Sequence, residues 1–129
     1  YLAMEINEIY KYPICGNIVQ VTHVGGGTLV CCGKPMELLE EKSSNEGMEK
    51  HLPVATFDND TLKVNVGSID HPMVEEHYIE WIECIVNGNV TRKYLFPNDK
   101  PYAEFSIKEE KGIKVRAYCN VHGLWAVTL

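Results

Sequence analysis

The chain has 129 residues, 45% of them hydrophobic, and a formal net charge of −6, enough for a sandwich-sized domain plus a small module, with a core that needs no covalent staples. An acidic chain lacks the basic face that nucleic acid or an anionic membrane requires, so neither is an expected partner. No apolar run is long enough to span a bilayer, no basic-then-apolar leader opens the sequence, and Met4 is a candidate natural start, which points to a cytoplasmic protein. The cysteines number five, Cys15, Cys31, Cys32, Cys84 and Cys119. An odd count without a secretion signal reads as thiolates available for metal and not as a disulfide framework.

Residues 10–36 are rich in glycine and cysteine, with turn signals at Cys15-Gly16-Asn17, Gly25-Gly26-Gly27 and Cys32-Gly33. Between the turns, 17–23 and 28–32 read as short strands of a β module that relies on something other than a large core. His23 reads as a surface residue at a strand end. We bound this module at 1–38. Residues 39–50 are polar and charged and read as a linker or a short helical turn. From His51 to the end, 51–129, the pattern is β. Leu62, Val64 and Val66 alternate with Lys63 and Asn65, a half-buried strand. His77–Val86 is rich in aromatic and β-branched residues, Asn87-Gly88 is a hairpin signal, and 90–96 is its return strand. Ala103, Phe105 and Ile107 alternate, as do Val115, Ala117 and Cys119, and 123–128 closes the series. Short strands separated by turns predict an all-β, antiparallel sandwich.

Chemistry-bearing residues fall at loop or strand-end positions of that sandwich, where function is usually placed. Cys119-Asn120-Val121-His122 is a Cys-x-x-His in a strand-to-turn segment. His51 stands where the charged segment enters the β region, His71-Pro72 starts a loop that Pro72 holds extended, and His77 opens a strand. Each alone has a plain reading: a loop-edge histidine is ordinarily a polar surface residue, and a cysteine in an alternating strand is a small buried hydrophobe. Cys84 is read in that second way. Taken together, four imidazoles and one thiolate exceed the four ligands of a closed zinc site. They suit a higher-coordinate redox metal such as iron. Neutral imidazoles hold iron without quenching its charge, and a thiolate pushes electron density onto the metal, as in Cys-ligated haems.

In order, Glu49-Lys50-His51, His71-Pro72-Met73, Glu76-His77-Tyr78 and Cys119-Asn120-Val121-His122-Gly123 resemble the superoxide reductases, the desulfoferrodoxin and neelaredoxin family. The resemblance covers nearly the whole chain, including Tyr78-Ile79-Glu80-Trp81 and Cys15-Gly16-Asn17-Ile18-Val19. It implies an immunoglobulin-like sandwich with one mononuclear iron, four equatorial histidines (His51, His71, His77, His122), an axial Cys119 thiolate and an open sixth position for superoxide. It implies that Lys50 is the functional lysine beside that position, attracting the anion and ordering the water that delivers protons. Glu49 matches a glutamate that can occupy the sixth position of the oxidised iron. The expected activity is one-electron reduction of superoxide to hydrogen peroxide, with a rubredoxin-type electron donor and a homodimeric state. The alternatives are a non-catalytic iron electron carrier and a sandwich binding module with a structural metal.

The N-terminal module departs from the family pattern. Two-iron members hold a second iron in a desulforedoxin-like module through four cysteines, a Cys-x-x-Cys followed by a Cys-Cys pair. Cys15, Cys31 and Cys32 match, with fifteen residues between the first two, but Tyr12 stands at the first cysteine position. Three thiolates do not complete an all-sulfur tetrahedron, and a phenolate is a large, hard substitute. The expectation is an incomplete second centre, without iron or loosely metallated, or closed by a disulfide between Cys15 and one of the pair.

Overall fold

In the computed structural model, which describes residues 4–44 and 47–129, the chain divides into two units, Tyr1–Glu40 and Glu41–Leu129. The first unit is built of five short strands: β1 (Ile9–Lys11), β2 (Ile18–Gln20), β3 (Val30–Cys31), β4 (Lys34–Pro35) and β5 (Glu37–Leu38). The antiparallel sheet runs β2-β1-β5, and β3 pairs with β4 as a separate ribbon. The turn after β1 is tied at both ends: the Tyr12 N–H donates to the Asn17 carbonyl at 3.0 Å, and the Gly16 N–H donates to the Tyr12 carbonyl at 2.8 Å. Gly16 takes a φ of +81° there, a conformation open to glycine. His23 is exposed just beyond β2.

The second unit contains α1 (Met48–His51) and the strands β6 (Pro53–Asp58), β7 (Thr61–Val66), β8 (Ile79–Val86), β9 (Asn89–Tyr94), β10 (Tyr102–Ser106), β11 (Lys114–Cys119) and β12 (Gly123–Thr128). They form two antiparallel sheets, a three-stranded β10-β7-β6 and a four-stranded β12-β11-β8-β9. This is the three-plus-four layout of an immunoglobulin-like sandwich. The inward positions of the two sheets, among them Leu62, Val64, Val66, Ile82, Cys84, Phe105, Val115 and Ala117, form one buried apolar cluster. Alternation explains the layering: Lys63 and Asn65 leave the core face at alternate positions of β7, between the buried Leu62, Val64 and Val66. The hairpin between β8 and β9 turns through Asn87 and Gly88 with φ of +50° and +81°, the geometry that Asn-Gly favours.

The segment read as a linker contributes structure to this unit. The Lys42 N–H donates to the Leu124 carbonyl, the Ala126 N–H donates to the Lys42 carbonyl, both at 2.9 Å, and Lys42 forms a parallel bridge with Trp125. Glu41 accepts from Lys114 at 2.7 Å and from Arg116 at 3.1 Å. A polar, charged composition therefore reflects an outer layer on β12 and β11. His51 lies on a short helical turn, and β8 begins at Ile79, two residues beyond His77. Among the described residues no helix is long and apolar enough to cross a membrane.

Candidate metal centre

Four segments of the second unit converge at one end of the sandwich. His51 ends α1, and its Nδ1 lies 2.8 Å from the Gly47 carbonyl. The turn is braced from below by Gly67: a Cβ there would stand 2.7 Å from the Glu49 carbonyl oxygen and 3.0 Å from that of Leu52. The Ile69 N–H and Ser68 hydroxyl donate to the same Glu49 carbonyl at 2.9 and 3.1 Å. His71 follows on that loop, with its N–H on the Val66 carbonyl at 2.8 Å and its Nδ1 2.7 Å from the Pro72 carbonyl. His77 is held by reciprocal backbone bonds with Val74 at 3.0 and 3.1 Å. Cys119 ends β11, where pairing with β8 shifts register between Tyr118 and Cys119. A bulge of this kind re-aims a side chain at a sheet end. His122 sits in the turn that leads from Cys119 to Gly123.

Asn120 ties two of these segments together, a role its place inside the Cys-x-x-His did not suggest. Its Oδ1 accepts from the Tyr78 N–H at 3.0 Å, and its Nδ2 donates to the Glu76 carbonyl at 3.1 Å. The amide thus clamps both sides of His77 to the Cys119 turn.

The four imidazoles form a square. Ring centroids are 4.6 Å apart for His51–His71, 4.7 Å for His71–His77, 5.0 Å for His77–His122 and 4.8 Å for His122–His51. The His51–His77 separation is 6.5 Å, the diagonal that edges of this length require. One ligand atom from each histidine and the Cys119 Sγ all lie within 4.8 Å of one another.

The protonation pattern of these rings fits a cation. His51 and His71 each direct Nδ1 at a backbone carbonyl, so Nδ1 carries the proton and Nε2 presents a lone pair. Those two Nε2 atoms face each other at 3.1 Å. Two bare lone pairs cannot make a hydrogen bond, whereas a shared metal ion satisfies both; a carbonyl on the far nitrogen is the usual support of a ligating histidine. His77 Nε2 is buried and has no protein partner. Burial, first among the causes, lowers the pKa of His51, His71 and His77, that of His71 to about 4, which keeps the rings neutral and able to ligate.

Cys119 is fully buried, and burial pushes its thiol pKa up. The His122 N–H, 3.3 Å from Sγ, and the Val121 N–H oppose that shift. These are the amides that stabilise a thiolate here. Around them lies Lys42, whose Nζ donates to the His122 carbonyl at 2.9 Å. Trp125 Nε1 donates to the same oxygen at 3.2 Å, and its ring stacks on His51 at 5.0 Å. Gly123 takes a φ of +88°, a left-handed conformation that glycine adopts without steric cost. The only sequence signal for Lys42 was a charge in a charged segment.

The remaining expected residues fall in two places. Lys50 and Glu49 are exposed on α1. The Lys50 charge is felt at His77, as the last of the causes that lower that ring's pKa. The Glu49 carboxylate is not part of the ligand cluster. Cys15, Cys31 and Cys32 gather in the first unit, with Sγ separations of 3.3 Å for Cys15–Cys31 and 3.9 Å for Cys31–Cys32. Tyr12 is buried beside them; burial first, and then the neighbouring cysteines, raise its phenol pKa. With three sulfurs and a phenol where a fourth sulfur would stand, this set does not fit a tetrathiolate iron. Cys84 is buried in the core, its thiol pushed up to about 11 by burial first.

Comparison with known proteins agrees with the two-unit organisation. Residues 43–128 match the family model described as desulfoferrodoxin, and residues 4–39 match that of the desulfoferrodoxin N-terminal domain. A desulfoferrodoxin homolog from Archaeoglobus fulgidus is 54% identical over 94% of this chain and 96% of its own. A superoxide reductase from Pyrococcus abyssi is 37% identical over 65% of this chain and 89% of its own. Among solved structures, the superoxide reductase from Treponema pallidum shares the fold, with a TM-score of 0.73 at 24% identity over 96% of this chain and 98% of that one. With a family model matched over residues 43–128, an N-terminal model matched over 4–39 and a relative of this identity along nearly its full length, the chain belongs to the desulfoferrodoxin family.

Proposed function

We propose that the chain is a superoxide reductase, reducing superoxide by one electron and two protons to hydrogen peroxide at a single iron. The observation that carries this reading is the square of four imidazoles with a buried thiol as fifth donor. His51, His71, His77 and His122 would hold the metal through their imidazoles, and Cys119 would supply a thiolate to it. Five donors exceed a closed zinc tetrahedron. When bound, iron supplies the electron, and thiolate donation favours giving it up.

The chain's own residues do the rest. Lys50 projects from the exposed face of α1 close enough for its charge to reach His77. On a protein of net charge −6, the attraction of an anionic substrate has to be local, and a cation at the mouth of the site provides it. The same ammonium orders water for proton delivery. Glu49, beside it on the turn, would approach the site when the substrate is gone, a role supported by the family resemblance. Burial of Cys119 keeps bulk water from the sulfur, and Trp125 covers a face of the His51 ring. A rubredoxin-type protein as electron donor, a homodimeric state and a cytoplasmic setting are supported by the family resemblance and belong to the same proposal.

Metal analysis with an optical spectrum of air-oxidised protein tests the site. The expected result is one iron per chain at the histidine–cysteine centre and a blue thiolate-to-iron band that Cys119→Ser abolishes. Colourless protein holding zinc, or a blue band that survives Cys119→Ser, overturns the assignment.

A further inference from the structure

The three-cysteine cluster of the first unit has no part in the chemistry above, and it is an organised group. Three sulfurs on one zinc-like ion at about 2.3 Å stand about 3.8 Å apart. The Cys31–Cys32 separation is 3.9 Å and the Cys15–Cys31 separation 3.3 Å, with the third edge within 4.8 Å. Asn17 addresses two of the sulfurs, its N–H at 3.4 Å from Cys15 Sγ and its Nδ2 at 3.7 Å from Cys31 Sγ. Cys32 takes a φ of +52° and Gly33 one of +77°, a turn that brings the paired cysteines round to face Cys15. Cys15 and Cys32 are exposed and Cys31 half-buried, so the side away from Tyr12 is open to solvent.

We propose that Cys15, Cys31 and Cys32 bind one thiophilic d10 cation in place of iron, with solvent or no ligand in the fourth position. Soft thiolates select Cu(I) and Zn(II). Cu(I) is satisfied by three sulfurs, and Zn(II) accepts three protein ligands plus water where a position is left open. Tyr12 keeps the turn, through its backbone bonds to Asn17 and Gly16, while removing the fourth sulfur that would close the shell.

The test uses protein whose histidine–cysteine centre is already loaded with iron. It is reduced, freed of reductant, and titrated with Zn(II) against a chromophoric chelator and, in a parallel arm, with Cu(I). The expected result is one further ion per chain in at least one arm, lost in Cys31→Ser, with the iron content and the optical spectrum of the other centre unchanged. The arm that succeeds tells a solvent-completed tetrahedron from a trigonal site. Cys15→Ala serves the same purpose should Cys31→Ser fail to fold. Tyr12→Cys is expected to complete the shell and raise iron from one to two per chain. Wild-type protein that already holds two tightly bound irons overturns the proposal. So does wild-type protein that takes up no more Zn(II) or Cu(I) than Cys31→Ser, or one in which a Cys15–Cys31 disulfide persists after reduction.

Discussion

One carbonyl oxygen, that of His122, receives two donors, Lys42 Nζ and Trp125 Nε1. The cation therefore stands one residue's backbone away from a ligand, and its charge also acts at Cys119, where it opposes the burial that raises the thiol pKa. A positive charge favours the more electron-rich state of the centre. Lys42→Met is accordingly expected to lower the reduction potential by tens of millivolts, the scale of one partly screened charge, while Lys42→Arg restores it. Redox titration of the iron-loaded variants checks this; equal potentials in wild type and Lys42→Met contradict it. The five clustered residues were legible in the sequence because their order and neighbours form recognisable motifs. Lys42 was not, because it meets His122 across 80 residues and carries no motif of its own. Asn120 lies inside a legible motif, but which backbone groups it clamps is a tertiary fact.

At the level of elements, the ligands owe their positions to strand ends and to close backbone packing. The bulge opposite Cys119 and the two hydrogen bonds of Asn120 set the Cys119–His122 turn against the His77 loop. Gly67 sets α1 against the end of β7. Gly67→Ala would drive a methyl to 2.7 Å from the Glu49 backbone oxygen, so α1 must shift and carry His51 with it. The variant is expected to lose about 1–3 kcal/mol of stability, the usual cost of overpacking, and to bind iron more weakly than wild type. Denaturant titration and metal content check both effects, and unchanged values in both would show that α1 is free to move. Strands with strict alternation, such as β7 and β10, and the Asn-Gly hairpin of β8 and β9 were readable from periodicity. The two- and three-residue strands of the first unit were harder, since β1, β4 and β5 are too short for a period to develop. β6 was hidden because its outward residues include an exposed apolar one, Val54, which breaks the polar alternation.

On the scale of the whole molecule, each unit carries its own cluster of metal-ligating side chains, and the two differ in completeness. The second unit joins a buried ion network to its apolar core. Glu83, fully buried on β8, accepts from Arg116 at 2.8 Å and from Arg92 at 2.7 Å, and Arg116 also reaches Glu41. Each of these charges faces an opposite one, and the Arg116–Glu83 pair links β8 to β11, the strand that ends in Cys119. The sequence revealed the sandwich, and its motifs named the four histidines and the cysteine that cluster at one end of it. It did not reveal that 41–44 packs on β12, because a charged outer layer and a solvated linker have the same composition. The central claim is that the histidine–cysteine centre of this unit reduces superoxide without dismuting it. Pulsing superoxide onto the reduced, iron-loaded protein while recording hydrogen peroxide and dioxygen tests it most directly. The account predicts one peroxide for each superoxide consumed and no dioxygen; dioxygen released alongside peroxide, or consumption no faster than with Cys119→Ser, would contradict it.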